Sequence, residues 1–233
     1  MIKAVVFDMD GTILNTLEDL KDSVNAIMKQ YDFPEHTLGE IRSYVGNGSH
    51  KLIERSVPAG TDADTIERVH DAYVPYYQAH CAIKTRPYDG IVELLQRLRA
   101  AGIRTAVVSN KGDGAVKDLC KLHFPGLFDA EIGAREGLAV KPARDLVDIA
   151  LKELGVDVEK VDGTENAVDS IRRDEVLYVG DSEVDFQTAQ NSELQCINVL
   201  WGFRDKDFLE SKGAKVFAET AEELEQKILG GLL

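Results

Sequence analysis

Cysteine is scarce in this chain: its 233 residues include only Cys81, Cys120 and Cys196, an odd number at wide spacing. This excludes the disulfide framework that stabilises many small secreted proteins. Long apolar runs are also missing, because no uncharged stretch approaches the roughly 20 residues that a membrane-spanning helix needs. The two absences predict a reduced, cytoplasmic protein that does not enter a membrane.

Positive charge is in short supply as well, since 27 Lys and Arg residues face 41 Asp and Glu residues and give a formal charge of −14. Such a field repels nucleic acid and anionic membrane surfaces, so neither is expected as a partner. A small anionic ligand would need a local cation to bind. The first eight residues lack the length and the cleavage site of a signal peptide, and we interpret them as a first strand.

Hydrophobic residues nevertheless make up 44% of the sequence, which is enough for a buried core. Short apolar runs typical of strands buried in a parallel sheet occur at residues 4–7, 105–108, 176–179 and 196–200, with a shorter candidate at 131–132. Helical spacings separate these runs, for example Ile91, Leu94, Leu95 and Leu98, or Val147, Ala150, Leu151 and Leu154. The alternation predicts an open α/β sheet.

Residues 16–84 break this rhythm, because their apolar residues have helical spacing and no buried-strand run interrupts them. We predict a helical insertion after the first strand. The chain is thereby divided into a core of residues 1–15 and 85–233 and an inserted domain of residues 16–84.

Two further segments stand out. Gly46, Asn47 and Gly48 lie inside the insertion and predict a tight turn between helices, since glycine adopts backbone conformations denied to other residues. The acidic stretch 158–175 has no clear periodicity. We expect an exposed, mobile loop there, without a catalytic part.

Two acids, Asp8 and Asp10, directly follow the first strand. Ligands of open α/β sheets bind beyond the carboxyl ends of the strands, where these acids emerge together with Ser109 and Asp181. Two carboxylates this close need a cation, and Mg²⁺ prefers oxygen ligands and would bring a phosphate oxygen alongside. An Asp-x-Asp pair alone is more often a solvated loop, so the interpretation depends on the neighbouring motifs.

Small and polar residues surround these acids. Gly11 would let the backbone approach a phosphate, and Thr12 would donate a hydroxyl or begin the next turn. Ser109 and Asn110 supply a hydroxyl, an amide and backbone N–H groups at the end of the second run, where a phosphate would fit. The plainer alternatives are a simple turn at Gly11 and a polar turn before a helix at Ser109.

The last two motifs supply one cation and more acids. Lys141 precedes Pro142, which suits a first helical position, and its ammonium would neutralise a developing phosphoryl charge. An isolated lysine is more often surface decoration. Asp181 follows the third strand and would complete the metal site, with Asp185 in support, although Asp181 or Ser182 is also expected to cap the next helix.

In this order and spacing, the four motifs resemble the signatures of the haloacid dehalogenase-like phosphohydrolase superfamily over essentially the whole chain. The resemblance implies an α/β fold with a Rossmann-like three-layer core, a parallel sheet and a small helical-bundle cap inserted after the first strand. It implies that Asp8 is the nucleophile that becomes an aspartyl-phosphate and that Asp10 is the general acid/base. An aspartate at position 10 favours phosphatases and mutases, because dehalogenases typically lack it.

The same resemblance assigns the remaining roles. Ser109 matches the phosphate-binding hydroxyl and Lys141 the lysine that stabilises charge. With Mg²⁺ as cofactor, the implied metal ligands are Asp8, Asp10, Asp181 and Asp185. Two departures are visible: the usual Lys-Pro-x-Pro loop lacks its second proline after Pro142, and Asn15-Thr16 stands where many relatives have Asp-Ser.

Runs beginning at Tyr44, Arg86 and Trp201 are similar to those of bacterial phosphoglycolate phosphatases. The likeness implies that the cap loop reaches into the active site, so Gly46, Asn47 and Gly48 become candidates for substrate specificity; otherwise they are only a turn between helices. The prediction is a magnesium-dependent phosphomonoester hydrolase acting on 2-phosphoglycolate or a similar small phosphorylated metabolite.

Rival functions share the same core. A phosphomutase similar to β-phosphoglucomutase, a pyrophosphatase or a nucleotidase would use the same nucleophile. A catalytically silent module that binds a phosphorylated metabolite is more remote, because Asp8, Asp10, Lys141 and Asp181 are all present. The expected assembly is a monomer or a homodimer.

Overall fold

The computed structural model describes residues 1–156 and 170–230. Its main sheet has six parallel strands: β1 (Ala4–Phe7), β4 (Arg104–Gly112), β5 (Ala130–Ala134), β6 (Val176–Gly180), β7 (Gln195–Val199) and β8 (Phe217–Ala218). They lie in the order β5-β4-β1-β6-β7-β8. Two short strands, β2 (Leu14–Asn15) and β3 (Arg86–Pro87), pair antiparallel outside this sheet. The first strand therefore lies in the middle of the sheet, between β4 and β6.

Helices surround the sheet and form the insertion. Those between β2 and β3 are α1 (Leu17–Gln30), α2 (Leu38–Tyr44), α3 (Gly48–Ser56) and α4 (Ala63–His80). The core helices are α5 (Ile91–Ala100), α6 (Asp113–His123), α7 (Asp145–Glu153), α8 (Glu183–Asn191), α9 (Lys206–Ser211) and α10 (Ala221–Gly230). The predicted α/β fold with a helical cap after the first strand is confirmed.

The side chains of β1 point alternately to the two faces of the sheet, and helices cover both faces to give three layers. Val5 and Phe7 pack with the apolar faces of α5, α6 and α10, whereas Ala4 and Val6 pack with those of α7 and α8. All four side chains are fully buried, because successive residues of a strand point to opposite faces and both faces carry helices. The apolar cluster on the first face continues into the cap, where it includes Ile53.

Local capping explains where the cap helices begin. Thr37 and Glu40 form a reciprocal capping box at the start of α2, and the Asp62 side chain accepts from the Thr65 N–H at the start of α4. Between α2 and α3 the chain turns at Gly46, which has a φ of 124°. The turn predicted from the glycines is present. The bounds 16–84 for the inserted domain stay a prediction.

The structure contradicts one alternative, a polar turn before a helix at Ser109, and one expectation, Pro142 as a first helical residue. Residues 109–111 do not start a helix: β4 runs on to Gly112 with a register shift after Val108, and α6 begins only at Asp113. Pro142 is not the first residue of α7, which begins at Asp145, and the Lys141–Pro142 peptide bond is cis. Both polar segments therefore have backbone shapes that a simple strand-to-helix reading misses.

The acidic stretch 158–175 falls mostly outside the described residues. Within its described part, Arg173–Glu175 form a 3₁₀ turn before β6. None of the helices in residues 1–156 and 170–230 combines the length and the apolar character needed to cross a bilayer.

Candidate active site

A cavity of about 170 Å³ lies at the carboxyl ends of β1, β4 and β6. Its core side includes Asp8, Asp10, Ser109, Asn110, Lys141, Asp181 and Asp185. Residues of the cap complete it, among them Gly46, Gly48, Ser49, Leu52, Tyr73 and Tyr77. The fold therefore brings all four sequence motifs into one enclosure and places the inserted helices over it.

Asp8 occupies the floor of this cavity. Its N–H donates to the Val179 carbonyl at 2.8 Å, which ties β1 to β6 at the point where the chain leaves the sheet. Lys141 Nζ donates to Asp8 Oδ1 at 2.6 Å and to Asp185 Oδ1 at 2.8 Å. Asp8 keeps 7% of its surface exposed, against 1% for Asp181 and Asp185, so it is the acid among these three that is most open to a ligand.

Lys141 is fixed at both ends. Its backbone N–H donates to Asn110 Oδ1 at 2.7 Å, and its carbonyl accepts from Asn110 Nδ2 at 2.9 Å. The ammonium also donates to Tyr178 Oη at 3.1 Å. Although the second proline of the usual loop is missing, the Pro142 carbonyl accepts from Asn191 Nδ2 at 2.7 Å. These bonds hold the lysine toward Asp8.

Three buried carboxylates gather beside that lysine. One oxygen from each of Asp8, Asp181 and Asp185 lies within 4.8 Å of the other two. Asp185 Oδ2 accepts from the Ser182 hydroxyl at 2.6 Å within the capping box that starts α8, and so serves helix and site together. Ser182 is therefore the helix cap expected at this position.

Close backbone approaches hold Asp181. Its Oδ2 accepts from the Phe203 N–H at 2.6 Å, and its Oδ1 accepts from the Thr12 hydroxyl at 3.5 Å. A Cβ on Gly11 would lie 2.4 Å from Asp181 Oδ2, and one on Gly202 would lie 2.3 Å from Asp181 Cβ. Only glycine fits at these two positions, because real Cβ atoms do not approach heavy atoms so closely.

The charges of this cluster favour the binding of a cation. Burial raises the pKa of Asp8 to about 7; Asp185 and Asp10 act in the same direction, and Lys141 opposes them. Burial, followed by repulsion from Asp185 and Asp8, also raises the pKa of Asp181 well above its usual value. With all three acids of the cluster ionised, three carboxylates and one ammonium leave two negative charges. An all-oxygen donor set of this charge suits a hard divalent metal ion.

Asp10 lies apart from the three gathered acids. Its side chain is 16% exposed, and Oδ1 lies 3.1 Å from Lys111 Nζ in an ion pair. The Lys111 ammonium also donates to the hydroxyl of Tyr77, which belongs to the cap helix α4. A direct contact of Asp10 with the metal stays a prediction. Its placement beside the cavity is that of a group facing a ligand.

The predicted phosphate-binding residues differ in what they contact. Ser109 is 2% exposed, and its hydroxyl accepts from the Lys111 N–H at 3.2 Å, so its position is fixed beside the cavity. The N–H groups of Gly11 and Thr12 donate to the carbonyls of Leu14 and Met9. The contacts of Gly11 and Thr12 thus support Asp181 and the turn, and their direct binding of phosphate stays a prediction, as it does for Asn110.

The cap glycines reach the core, whereas Asn47 does not. A Cβ on Gly46 would lie 3.5 Å from Arg204 Nη2, and one on Gly48 would lie 3.9 Å from the Asn110 side chain. The Asn47 side chain instead accepts from Arg55 Nη2 at 2.8 Å within the cap. Of the three predicted specificity residues, the two glycines line the cavity.

Sequence reasoning missed two cations of the site. Lys111 directly follows Ser109 and Asn110 in the sequence, but no spacing rule links it to Tyr77 or Asp10. Arg204 donates to Glu183 Oε2 at 2.9 Å and to the Val45 carbonyl of the cap at 2.8 Å. In the sequence, Arg204 was indicated only by the run that begins at Trp201, which is similar to a run in bacterial phosphoglycolate phosphatases.

Comparisons with known proteins agree with this geometry. A family model described as haloacid dehalogenase-like hydrolase matches residues 5–199. A phosphoglycolate phosphatase from Cereibacter sphaeroides is 32% identical over 204 residues, 86% of each chain. An N-acetylmuramic acid 6-phosphate phosphatase from Pseudomonas aeruginosa is 26% identical over 225 residues, 96% of this chain and 93% of that one. A solved structure from Lactobacillus delbrueckii subsp. bulgaricus, described provisionally as a phosphoglycolate phosphatase, has a TM-score of 0.87 and 37% identity over 98% of both chains.

Proposed function

Because this chain belongs to the haloacid dehalogenase-like hydrolase family, we propose that it is a magnesium-dependent phosphomonoester hydrolase that works through an aspartyl-phosphate on Asp8. The observation that carries the proposal is the pairing of Asp8 Oδ1 with Lys141 Nζ at 2.6 Å on the floor of a capped cavity. A carboxylate attacks an anionic phosphate only where cations offset their repulsion. The lysine is one such cation, and the acidic cluster is built to hold another.

The metal fits the residues present. Asp8, Asp181 and Asp185 would hold Mg²⁺, since they offer three buried carboxylates of which one lysine neutralises only part. Bound there, the ion would supply positive charge to the phosphoryl oxygens. Asp10, the fourth predicted ligand, lies outside the three gathered acids and is proposed first as the proton carrier.

The reaction proceeds in two displacements. A carboxylate oxygen of Asp8 forms a bond to phosphorus while the ester P–O bond breaks, and the departing alkoxide takes a proton from the Asp10 carboxyl group. Asp10, now ionised, then takes a proton from water as the water oxygen attacks the aspartyl-phosphate, which releases phosphate and restores Asp8. Lys141 stabilises the charge in both steps, and Ser109 holds a phosphoryl oxygen.

The substrate is proposed to be small, with 2-phosphoglycolate as the first candidate. The cavity of about 170 Å³ is below the roughly 300–1,000 Å³ of pockets that hold drug-sized ligands. That size favours a two-carbon ester over an amino-sugar phosphate. The relatives include phosphatases named for each of these two substrates. Cavity size is the structural reason for proposing the smaller substrate.

A panel of phosphate esters, assayed with and without Mg²⁺, tests the proposal. It contains 2-phosphoglycolate, N-acetylmuramic acid 6-phosphate, glucose 1- and 6-phosphates, pyrophosphate and a nucleoside monophosphate. We expect magnesium-dependent phosphate release, fastest from 2-phosphoglycolate. Isomerisation of a glucose phosphate without phosphate release would make the protein a mutase, and preference for pyrophosphate or the nucleotide would move it to those classes.

The nucleophile is tested separately. Asp8→Asn removes the attacking carboxylate at nearly constant shape, so we expect phosphate release to fall by at least about 10³-fold, within the range that covalent catalysis supplies. Acid-quenched wild-type enzyme should carry a hydroxylamine-sensitive phosphate that this variant lacks. Undiminished turnover by the folded variant would refute the mechanism.

A further inference from the structure

Lys111 is a buried lysine that the proposed chemistry leaves without a task. Only 9% of the surface of Lys111 is exposed. Burial of an ammonium group costs free energy unless the group has partners of its own. Phosphoryl charge is already served by Lys141, which is bonded to Asp8 and Asp185. Lys111 has different partners, so its reason for being in the cavity lies with them.

The first partner is Asp10. Lys111 Nζ lies 3.1 Å from Asp10 Oδ1, and that oxygen has no hydrogen-bond partner within the part of the chain that the structure describes. The ion pair with Lys111 is therefore the contact that orients this end of the carboxylate. Proton transfer depends on placement within hydrogen-bond reach, so the orientation of Asp10 matters to the reaction.

The second partner comes from the cap. The Tyr77 hydroxyl accepts a hydrogen bond from the Lys111 ammonium, and the ammonium lies 4.3 Å from the centroid of the Tyr77 ring. The ring of Tyr77 in turn stacks on that of Tyr73, with 5.6 Å between the ring centroids. Burial raises the pKa of Tyr77 well above its usual value, so its neutral hydroxyl is the acceptor. Cap helix α4 and core residue Asp10 thus meet at one ammonium.

We propose that Lys111 is a positioning residue that holds Asp10 for proton transfer to the leaving group, and that Tyr77 of the cap holds Lys111 in that place. The inference rests on the proposed function, because it concerns the acid of that reaction. It makes correct placement of the acid depend on a seated cap. Leaving-group protonation is then available only when the cavity is covered.

Substrates that differ in their need for the acid reveal this role. An alkyl phosphate such as 2-phosphoglycolate must have its leaving alkoxide protonated, whereas acetyl phosphate, of similar size, expels acetate without a proton. Both form the same aspartyl-phosphate, and kcat/KM reports steps up to that first transfer. A positioning defect therefore lowers kcat/KM for the alkyl ester selectively.

The test measures kcat/KM on both substrates, with Mg²⁺, for Lys111→Met, Lys111→Arg and Tyr77→Phe. We expect Lys111→Met to lose about 100-fold on 2-phosphoglycolate, the lower part of the range for general acid catalysis, and less than about threefold on acetyl phosphate. Tyr77→Phe removes only the hydroxyl and should lose about tenfold, again selectively. Lys111→Arg, which keeps a cation beside Asp10, should recover part of the loss.

Hydrolysis of the aspartyl-phosphate, the second step for both substrates, gives a further test of the positioning role. Asp10 also activates water, so Lys111→Met should accumulate the aspartyl-phosphate from acetyl phosphate, seen as a burst and as phosphate bound to acid-quenched enzyme. Two controls match the variants. Tyr76→Phe removes the hydroxyl of another tyrosine of α4, which stacks on His80 and does not line the cavity. Lys117→Met removes an exposed lysine. Neither should change the ratio between substrates.

Each outcome is decisive. Equal losses on both substrates, or a change confined to KM, would overturn the positioning role, since the first indicates a structural defect and the second direct binding of substrate by Lys111. Circular dichroism and thermal melts establish that the variants fold. If wild-type enzyme releases no phosphate from either substrate, the proposed function itself fails, and that result is distinct from an active wild type with an unchanged ratio.

Discussion

Asp8 shows how one side chain couples metal, proton and fold. Its pKa is about 7 instead of the usual 3.8, first because it is buried and then because Asp185 lies beside it. Between these two values the folded protein without metal holds a proton that the unfolded chain has released. The contribution of Asp8 to stability is therefore highest below pH 3.8 and declines as the pH rises toward 7.

Magnesium binding should consequently strengthen as the pH rises through about 7, because the ion must displace the proton on Asp8. Below that value we expect the apparent affinity to fall by about tenfold per pH unit. Calorimetric titration of wild-type protein with Mg²⁺ across this range measures the slope. Asp8→Asn is the control: it should bind more weakly and with a shallower pH slope, because only the raised pKa of Asp181 then remains to link metal and proton binding. An equal slope in both proteins would contradict the assignment.

At the same scale, sequence alone predicted that Asp8 and Asp181 gather at the strand ends, but it did not predict the partners of the site residues. Asp8 and Asp181 were found because each follows a buried apolar strand, and strand ends in a parallel sheet converge. The clamp of Asn110 on Lys141 and the contact of Lys111 with Tyr77 were not found. They join residues 31 and 34 positions apart, where no periodicity links one side chain to the other.

Among the elements, the connections between cap and core depend on helix α1. Its buried Asp19 accepts from the N–H groups of Ile83, Lys84 and Thr85 at 2.8–3.0 Å. These residues form the return connection that leads from the cap into β3. A single buried carboxylate therefore accepts hydrogen bonds from three backbone donors, of which the N–H of buried Thr85 has the least access to water.

Asp19→Ala should lower the free energy of unfolding by about 1.5–3 kcal/mol, because truncation removes the hydrogen bonds of three N–H groups to a charged, buried carboxylate. Urea unfolding followed by circular dichroism measures the change. Asp22 supplies a matched control on the same helix: it also pairs with Lys84, but its side chain is 44% exposed. Asp22→Ala should cost less than about 1 kcal/mol, and equal costs for the two variants would show that the backbone contacts of Asp19 add nothing.

Element types followed from the sequence more reliably than element ends. The continuous apolar run at residues 4–7 and the helical spacing of Leu94 and Leu98 gave the correct classes, since burial of both faces of a strand or of one face of a helix imposes those patterns. The extension of β4 past Ser109 and the late start of α7 did not follow. Both segments line the cavity, where tertiary contacts override the local preferences of their residues.

Across the whole molecule, two arginines join the cap to the core in opposite directions. Arg204 of the core donates to the carbonyls of Arg42 and Val45 at 3.0 and 2.8 Å. Arg42 of the cap donates to the Gly202 carbonyl at 3.2 Å and to Asp205 at 3.1 Å. The same loop supplies the Phe203 N–H to Asp181 of the buried acidic cluster. The attachment of the cap and the position of Asp181 therefore depend on one loop.

Arg204→Met should weaken the attachment of the cap, because it deletes both hydrogen bonds to cap carbonyls while keeping the apolar length of the side chain. We expect amide hydrogen exchange in α2 to accelerate by about tenfold, since a loss of about 1.4 kcal/mol in a local opening equilibrium raises the open population by that factor. Exchange in the central strands β1 and β6 should be unchanged. Lys206→Met, at an exposed lysine two residues along the chain, is the control and should leave α2 protection as it is. Equal protection of α2 in wild type and Arg204→Met would mean that the continuous apolar cluster alone seats the cap, and the arginines would then have no part in closing the cavity.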